Sequence, residues 1–170
     1  VHLKPKVEEG KVITDLENDL VKVAVIERHH GSENKAVGLV QGLGLKRGAI
    51  GSSVAHDSHN IVLAGVSDVD MAAAANAISR MDGGLVVVRD GEVVASLALP
   101  LAGLMSDQPI ASVDQGLKTL RKKARELGSV PENPFMVLSF ISLAVIPELK
   151  ITDRGLVYVK EGRLVDFWVD

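Results

Sequence analysis

Short runs rich in valine and other apolar residues recur along this chain, which is the pattern of β-strands. The first such segment runs from about Leu20 to Arg28, where valines stand at every second position. Similar short runs follow along the chain: 49–55, 61–66, 85–89, 92–97, 157–160 and 164–167. The third and fourth of these runs flank Asp90-Gly91, a turn sequence that favours a β-hairpin. The last two flank Glu161-Gly162-Arg163 and predict another hairpin.

Helical spacing occurs instead in two or three segments. Ser67 and Asp70 form a capping-box pattern ahead of an Ala-rich run that ends near Met81. A second helix is predicted from about Ser112 to Leu127, because apolar residues recur there at helical spacing and basic residues cover the other faces. The apolar segment from Pro134 to Ile146 fits either a buried helix or a strand.

These elements indicate the fold class. Strands outnumber helices and hairpins join several strands, so the sequence predicts an α+β (mixed α/β) domain. We expect a largely antiparallel sheet with hairpins, covered by two or three helices. Residues 1–19 are polar and are predicted to form an irregular N-terminal segment. Residues 20–170 are predicted to form a single domain, since no linker-like stretch divides them.

Charge and composition exclude several classes of function. The net charge of −3 argues against a nucleic-acid partner. No apolar run reaches the roughly 20 residues that a membrane helix needs, so no membrane partner is expected. The absence of cysteine excludes disulfides and thiolate metal sites. The first residues carry no apolar leader, and we therefore expect a cytoplasmic protein.

The densest group of polar side chains is His56-Asp57-Ser58-His59-Asn60, which lies between two predicted strands. Polar groups that enter a sheet interior need partners, because each unpaired one costs roughly 1–3 kcal/mol. Two imidazoles could hold a metal, although a loop does not fix a shared direction for them. Alternatively, the loop binds a ligand or a neighbouring domain. The third interpretation is a tight turn in which Asp57 and Asn60 bond their own backbone.

Three residues outside this stretch are further candidates for substrate binding. Ser53 precedes the polar stretch, and Arg28 and His29 end the first predicted strand. If that strand lies beside the strand 49–55, His29 or His30 would join His56 in one cluster. A surface or packing role is the alternative for both histidines.

The glycine pattern Gly42-x-Gly44-x-x-x-Gly48 superficially resembles a phosphate-binding loop. It lacks the Gly-Lys-Ser/Thr ending, and no helix follows it directly. Turns between strands explain these glycines better. The basic face of the second predicted helix is interpreted as a solvated surface.

Several long strings carry a resemblance to a known family: Val25–His29, Gly42–Ile50, Ser53–Ile61, Met81–Gly84, Leu99–Ser106 and Val145–Leu156. In this order they resemble the C-terminal domain of bacterial and archaeal adenine deaminase, a member of the amidohydrolase superfamily. The resemblance covers roughly residues 20–156, and residues 157–170 look less like the family.

The resemblance implies an enzyme that hydrolyses adenine to hypoxanthine and ammonia in purine salvage. It implies a manganese or iron centre in an amidohydrolase barrel domain, in the same or a separate chain. That barrel lies outside these residues, so no metal ligand is assigned here, no cofactor is expected in this chain, and the isolated chain is expected to be inactive. The implied partners are the barrel, adenine as substrate, and further copies in a homo-oligomer.

Within this framework, the polar loop assists a metal centre that lies elsewhere. The candidate supporting or substrate-side residues are His56, Asp57, His59 and Asn60, and the candidate substrate-binding residues are Ser53, His56, His59, Asn60, Arg28 and His29. Two alternatives stay open: a structural or oligomerisation domain with no direct catalytic role, and a stand-alone binder of a metal or small ligand.

Overall fold

The computed structural model describes residues 5–168. In chain order its strands are β1 (Val7–Glu8), β2 (Lys11–Val12), β3 (Leu20–Ile26), β4 (Lys35–Gln41), β5 (Ala49–Ser52), β6 (Ile61–Gly65), β7 (Gly84–Arg89), β8 (Glu92–Ala98), β9 (Leu149–Thr152), β10 (Gly155–Tyr158) and β11 (Arg163–Val165). The helices are α1 (Asp68–Arg80), α2 (Ile110–Glu126) and α3 (Pro134–Ile141), and a 3-10 turn spans Val159–Glu161.

The central element is a six-stranded antiparallel sheet in the order β4-β3-β6-β5-β7-β8. A smaller antiparallel sheet has the order β11-β10-β9, and β1 and β2 form a short hairpin. The predicted α+β class, with a largely antiparallel sheet and covering helices, is therefore confirmed. The β1–β2 hairpin lies inside residues 1–19, which were expected to be irregular, and neither β4 nor β9 has a counterpart among the predicted strands.

Local sequence rules account for most element boundaries. Ser67 caps α1 as predicted, since its side chain accepts a hydrogen bond from the Asp70 amide at 3.1 Å; the Asp70 carboxylate accepts from the Ser67 hydroxyl at 3.0 Å. The ambiguous apolar segment is helical as far as Ile141. The first strand of the last hairpin, β10, begins at Gly155 rather than at the predicted Val157. It also pairs with β9, and Val159–Glu161, predicted as the end of the strand and its turn, forms a 3-10 turn.

Both faces of the central sheet are covered. Helix α1 packs on one face, where Leu63, Ile78 and Val86 belong to one buried cluster. Helices α2 and α3 pack on the other face, together with Ile151 of β9. Because the sheet is covered twice, every residue of β5 and β6 is buried, and β6 reads as a continuous apolar run rather than as an alternating one. Within residues 5–168, no helix is long and apolar enough to span a bilayer.

Candidate functional site

Antiparallel pairing brings several loops together at one end of the central sheet. The register pairs Ile26 with Ile61, Ser52 with Leu85, and Gly84 with Ala98. The chain therefore leaves β3, β5 and β8, and enters β6 and β7, at this same end. The polar loop between β5 and β6, residues 53–60, lies at the centre of it, and we call this segment the 53–60 loop.

Arg28 joins the 53–60 loop to the segment that follows β8. Its Nε donates to the carbonyl oxygen of His59 at 2.6 Å, and its Nη2 donates to the carbonyl oxygen of Ala102 at 2.6 Å. Gly103 permits this close approach, because a Cβ atom there would overlap the guanidinium group. Arg28 thus acts on two backbone carbonyls and fixes the relative position of two loops.

Glu27 organises the turn after β3. Its carboxylate accepts hydrogen bonds from the backbone amides of His29, His30 and Ser32 and from the Ser32 hydroxyl. Burial alone would raise the pKa of Glu27, but these hydrogen bonds outweigh it and lower the pKa to about 2. The turn is therefore held by an ionised carboxylate at neutral pH.

This turn directs one histidine to the 53–60 loop and the other away from it. His29 Nε2 lies 2.8 Å from the carbonyl oxygen of Ser58, to which it donates, whereas His30 Nδ1 lies 3.2 Å from Glu27. The expected histidine cluster depended on β3 lying beside β5. That pairing is wrong, because β3 pairs with β6. His29 nevertheless reaches the loop, since β6 follows the loop directly.

Ser53 is a buried connection between three parts of the chain. Its hydroxyl donates to the carbonyl oxygen of Gly103 at 2.6 Å and accepts from the Gly84 amide at 2.8 Å. Its own amide donates to the carbonyl oxygen of Gly84 at 3.0 Å. With these groups occupied and the residue fully buried, Ser53 stabilises the loop base in this conformation.

The two histidines of the 53–60 loop lie side by side. Their ring centroids are 6.0 Å apart at an interplanar angle of 74°, and the His56 ring lies 5.9 Å from that of Phe140 in α3. The His56 amide also donates to Ser139 Oγ at 3.3 Å. Helix α3 thus forms one wall of the loop, and Asp57 and Ser58 at its tip are exposed.

The inner part of the loop contains buried polar atoms without partners. Among the described residues, neither His59 Nδ1 nor Asn60 Oδ1 forms a hydrogen bond. The other side of the amide is engaged, because Asn60 Nδ2 donates to Asp153 at 3.2 Å. Burial lowers the pKa of His59, and the nearby His56 and Arg28 lower it further. The neutral imidazole is therefore favoured, which can accept a proton or a hydrogen bond.

The structure brings six of the seven predicted residues together around the loop: Arg28, His29, His56, Asp57, His59 and Asn60. The seventh, Ser53, lies beneath them. Sequence reasoning missed Asp153, Ser139, Phe140 and Gly103, which contact the cluster. Gly103 and Asp153 lie within strings that carried the family resemblance, and that was the available indication.

The metal interpretation gains no support from the described side chains. Within residues 5–168, no group of three or more His, Cys, Asp or Glu side chains is placed to hold a metal ion. Half-buried imidazoles, an exposed carboxylate and a neighbouring amide instead provide donors and acceptors for a polar ring or for a proton. The fold and site define an α+β domain with a hydrogen-bonding loop at one end of its sheet.

Comparison with known proteins identifies the family. The family model described as "Adenine deaminase C-terminal domain" matches residues 1–163. This chain therefore belongs to the adenine deaminase C-terminal domain family, as the sequence resemblance indicated. The match extends beyond the expected residues 20–156 at both ends, and it includes the segment that was expected to be irregular.

Curated relatives agree with this assignment. An adenine deaminase of Brucella abortus (strain 2308) is 57% identical over 160 residues, which is 94% of this chain and 28% of the relative. An adenine deaminase of Desulfatibacillum aliphaticivorans is 53% identical over 150 residues, or 88% of this chain and 26% of the relative. "Adenine deaminase 2" of Carboxydothermus hydrogenoformans is 55% identical over 167 residues, or 97% and 29%. The chain thus spans under a third of the length of these relatives.

Proposed function

We propose that this chain is the C-terminal domain of an enzyme that hydrolyses adenine to hypoxanthine and ammonia, and that its 53–60 loop helps to close the purine site. The observation that carries the activity is the 57% identity to an adenine deaminase across 94% of this chain. The catalytic part of such an enzyme is an amidohydrolase barrel outside these residues. A manganese or iron centre there, a role in purine salvage, a homo-oligomeric state and a cytoplasmic location belong to the same proposal.

The composition of the loop supports a role at a purine site. An adenine ring offers nitrogen acceptors and an exocyclic amine donor around its edge. His56, Asp57 and His59 provide groups that complement both kinds of atom. Asp57 is exposed and His56 is half-buried, so both can be reached from outside this domain. The metal would supply the activated water, and these side chains would orient the ring and exclude solvent.

The unpartnered atoms support a functional rather than a purely structural loop. A buried polar atom without a partner costs about 1–3 kcal/mol, and a loop that only closes a turn gains nothing from two of them. His59 Nδ1 and Asn60 Oδ1 are such atoms among the described residues. Buried groups that are costly for stability occur preferentially where a ligand or a proton transfer uses them.

The test is kinetic, in the complete enzyme encoded by the reading frame that contains this chain. His56→Ala and His59→Ala should lower adenine turnover by about tenfold or more, the effect of losing one transition-state hydrogen bond. Metal content should stay unchanged, because neither residue is a ligand. His30→Ala is the matched control, since His30 is an exposed histidine that contacts Glu27 rather than the loop.

Three results would contradict the proposal in different ways. Wild-type kinetics in both loop variants would remove the loop from the purine site. A fall in melting temperature or a change in oligomeric size, with turnover per folded enzyme intact, would favour the structural alternative. A complete reading frame that encodes no amidohydrolase barrel ahead of Val1, in the same or an adjacent gene, would overturn the assigned activity itself.

A further inference from the structure

Helix α3 and the segment after it form an apolar surface on two sides. No charged residue occurs from Pro134 to Pro147. The inner side of α3 is buried against the sheet through Phe135 and Leu138. Large apolar residues are also exposed here, and we call these four the α3 patch: Met136 and Phe140 in α3, and Val145 and Ile146 in the segment after it.

A helix that is apolar on every side is normally covered on every side. Helix α2, on the same face of the central sheet, shows the alternative. It buries Leu120 and Ala124, and its exposed side carries a charged row that includes Lys118 and Arg125. The exposed side of α2 is therefore suited to contact with solvent and needs no protein partner. The α3 patch has the charge-depleted composition found at the centre of protein interfaces.

The α3 patch is continuous with the 53–60 loop. The Phe140 ring lies 5.9 Å from the His56 ring, and the neighbouring Ser139 accepts a hydrogen bond from the His56 amide. Beyond the loop, Leu101 and Met105 are also exposed. They flank Ala102, whose carbonyl oxygen binds Arg28. The polar loop therefore contacts two segments that expose apolar residues, α3 and the segment after β8.

We propose that the α3 patch docks on the catalytic part of the same polypeptide, and that this contact presses the 53–60 loop against the purine site. The inference rests on the proposed function. The length of the relatives supports this occupant, because more than two thirds of their residues lie outside the matched region. Continuity with the loop supports it as well, since whatever covers the patch also lies next to His56.

Thiol labelling of the complete enzyme tests the proposal. These 170 residues contain no cysteine, so a cysteine introduced here gives its own modified peptide, which mass spectrometry distinguishes from peptides of the rest of the enzyme. Met136→Cys and Val145→Cys report on the patch, where the native side chains are 51% and 70% exposed in this domain. The matched controls are Ile110→Cys in α2 and Val69→Cys in α1, where the native side chains are 87% and 70% exposed.

Docking should slow maleimide labelling at both patch positions by about tenfold or more relative to the controls, because the thiol reacts only when the interface opens. A difference of less than about threefold at both positions would overturn docking. Each variant is first checked for a native melting temperature. If one patch variant does not fold, the other decides the result.

Cross-linking identifies the occupant. A benzophenone maleimide attached to Met136→Cys should give a product with the mass of one polypeptide, linked to a peptide that lies ahead of Val1. A product of twice that mass would show that a second copy covers the patch, and would overturn the proposal. Adenine turnover of the same preparations separates the docking proposal from the proposed activity. An active enzyme whose patch cysteines are labelled freely contradicts docking alone. An enzyme that is inactive on adenine but has protected patch cysteines contradicts the activity alone.

Discussion

Two polar loops lie at opposite ends of β5, and they differ in how they satisfy their hydrogen-bonding groups. The loop of residues 42–48 forms its hydrogen bonds with other residues of the same domain. The carboxylate of Asp19 accepts from the amides of Gly42 and Gly44 at 3.1 and 2.8 Å, and the Lys46 amide donates to the carbonyl oxygen of Leu127 at 2.8 Å. The 53–60 loop instead keeps His59 Nδ1 and Asn60 Oδ1 without partners among the described residues.

The comparison teaches that glycine spacing alone is poor evidence for ligand binding. The 42–48 loop has the glycines of a phosphate-binding loop, yet a carboxylate already occupies two of the amides that a phosphate would need, and its charge would repel an anion. The 53–60 loop has no binding motif, but its outward side chains and unpartnered inner atoms provide hydrogen-bond donors and acceptors for a ligand. Substitutions in the first loop should change stability, and those in the second should change activity.

The largest effect is expected at Gly48. Its φ is +70°, and an added Cβ would overlap the carbonyl oxygen of Val88 and lie 2.8 Å from Leu127 Cδ1. Gly48→Ala should therefore lower the free energy of unfolding by about 2–4 kcal/mol, from the left-handed conformation and the overlap together. Chemical denaturation measures this change, and turnover per folded enzyme should be unaffected.

Gly42→Ala is the matched control in the same loop. Its φ is +97°, but an added Cβ would meet nothing within 4 Å. Only the conformational cost remains, about 1 kcal/mol. Equal losses for the two variants would contradict the view that close packing against β7 and α2 defines this loop.

A smaller effect is expected from Asp19→Asn. Asparagine tolerates the positive φ of 54° at this position, but it has one acceptor oxygen where the carboxylate uses two. One of the hydrogen bonds from Gly42 and Gly44 is then lost and the other is no longer charge-assisted, which should lower the free energy of unfolding by about 1 kcal/mol. The measurement is a denaturation midpoint at neutral pH. A loss of turnover at unchanged stability would reverse the contrast between the two loops.

Local sequence rules predicted most of the elements, but neither β4 and β9 nor how the elements assemble. The Asp90-Gly91 hairpin and the Ser67 cap depend on neighbouring residues, and both are present. The order of strands in the sheet depends on pairing between distant segments, which no local pattern encodes. Helix α3 was ambiguous for a related reason, since its outer face is apolar and the pattern contains no solvent side to set the period.

The location of the site was predictable, because five consecutive polar residues lie between two buried strands. Its partners were not predictable. Asn60 and Asp153 are 93 residues apart in sequence, and His56 and Ser139 are 83 apart. Asp19 shows the same limit in the other loop, since its bond to Gly44 spans 25 residues. Such contacts exist only after the sheet and α3 have assembled.

The smallest effect, and the most specific to the 53–60 loop, is the pH dependence that His59 contributes. Burial, and then the charges of His56 and Arg28, lower its pKa below the ordinary value of 6.5. Between the pKa of the folded state and that of the unfolded state, the unfolded chain binds the proton more readily than the folded chain. The contribution of His59 to the free energy of unfolding is therefore fully present above about pH 6.5 and decreases as the pH falls below it.

Urea denaturation between pH 8 and pH 5 should show that decrease in the wild type and a shallower one in His59→Gln, with the free energies referenced to pH 8 for each protein. Glutamine cannot take up the proton, and therefore the part of the slope that belongs to His59 disappears. Identical slopes would mean that the folded loop accommodates the imidazolium as well as water does. The contrast with the self-satisfied 42–48 loop would then rest on the kinetic variants alone.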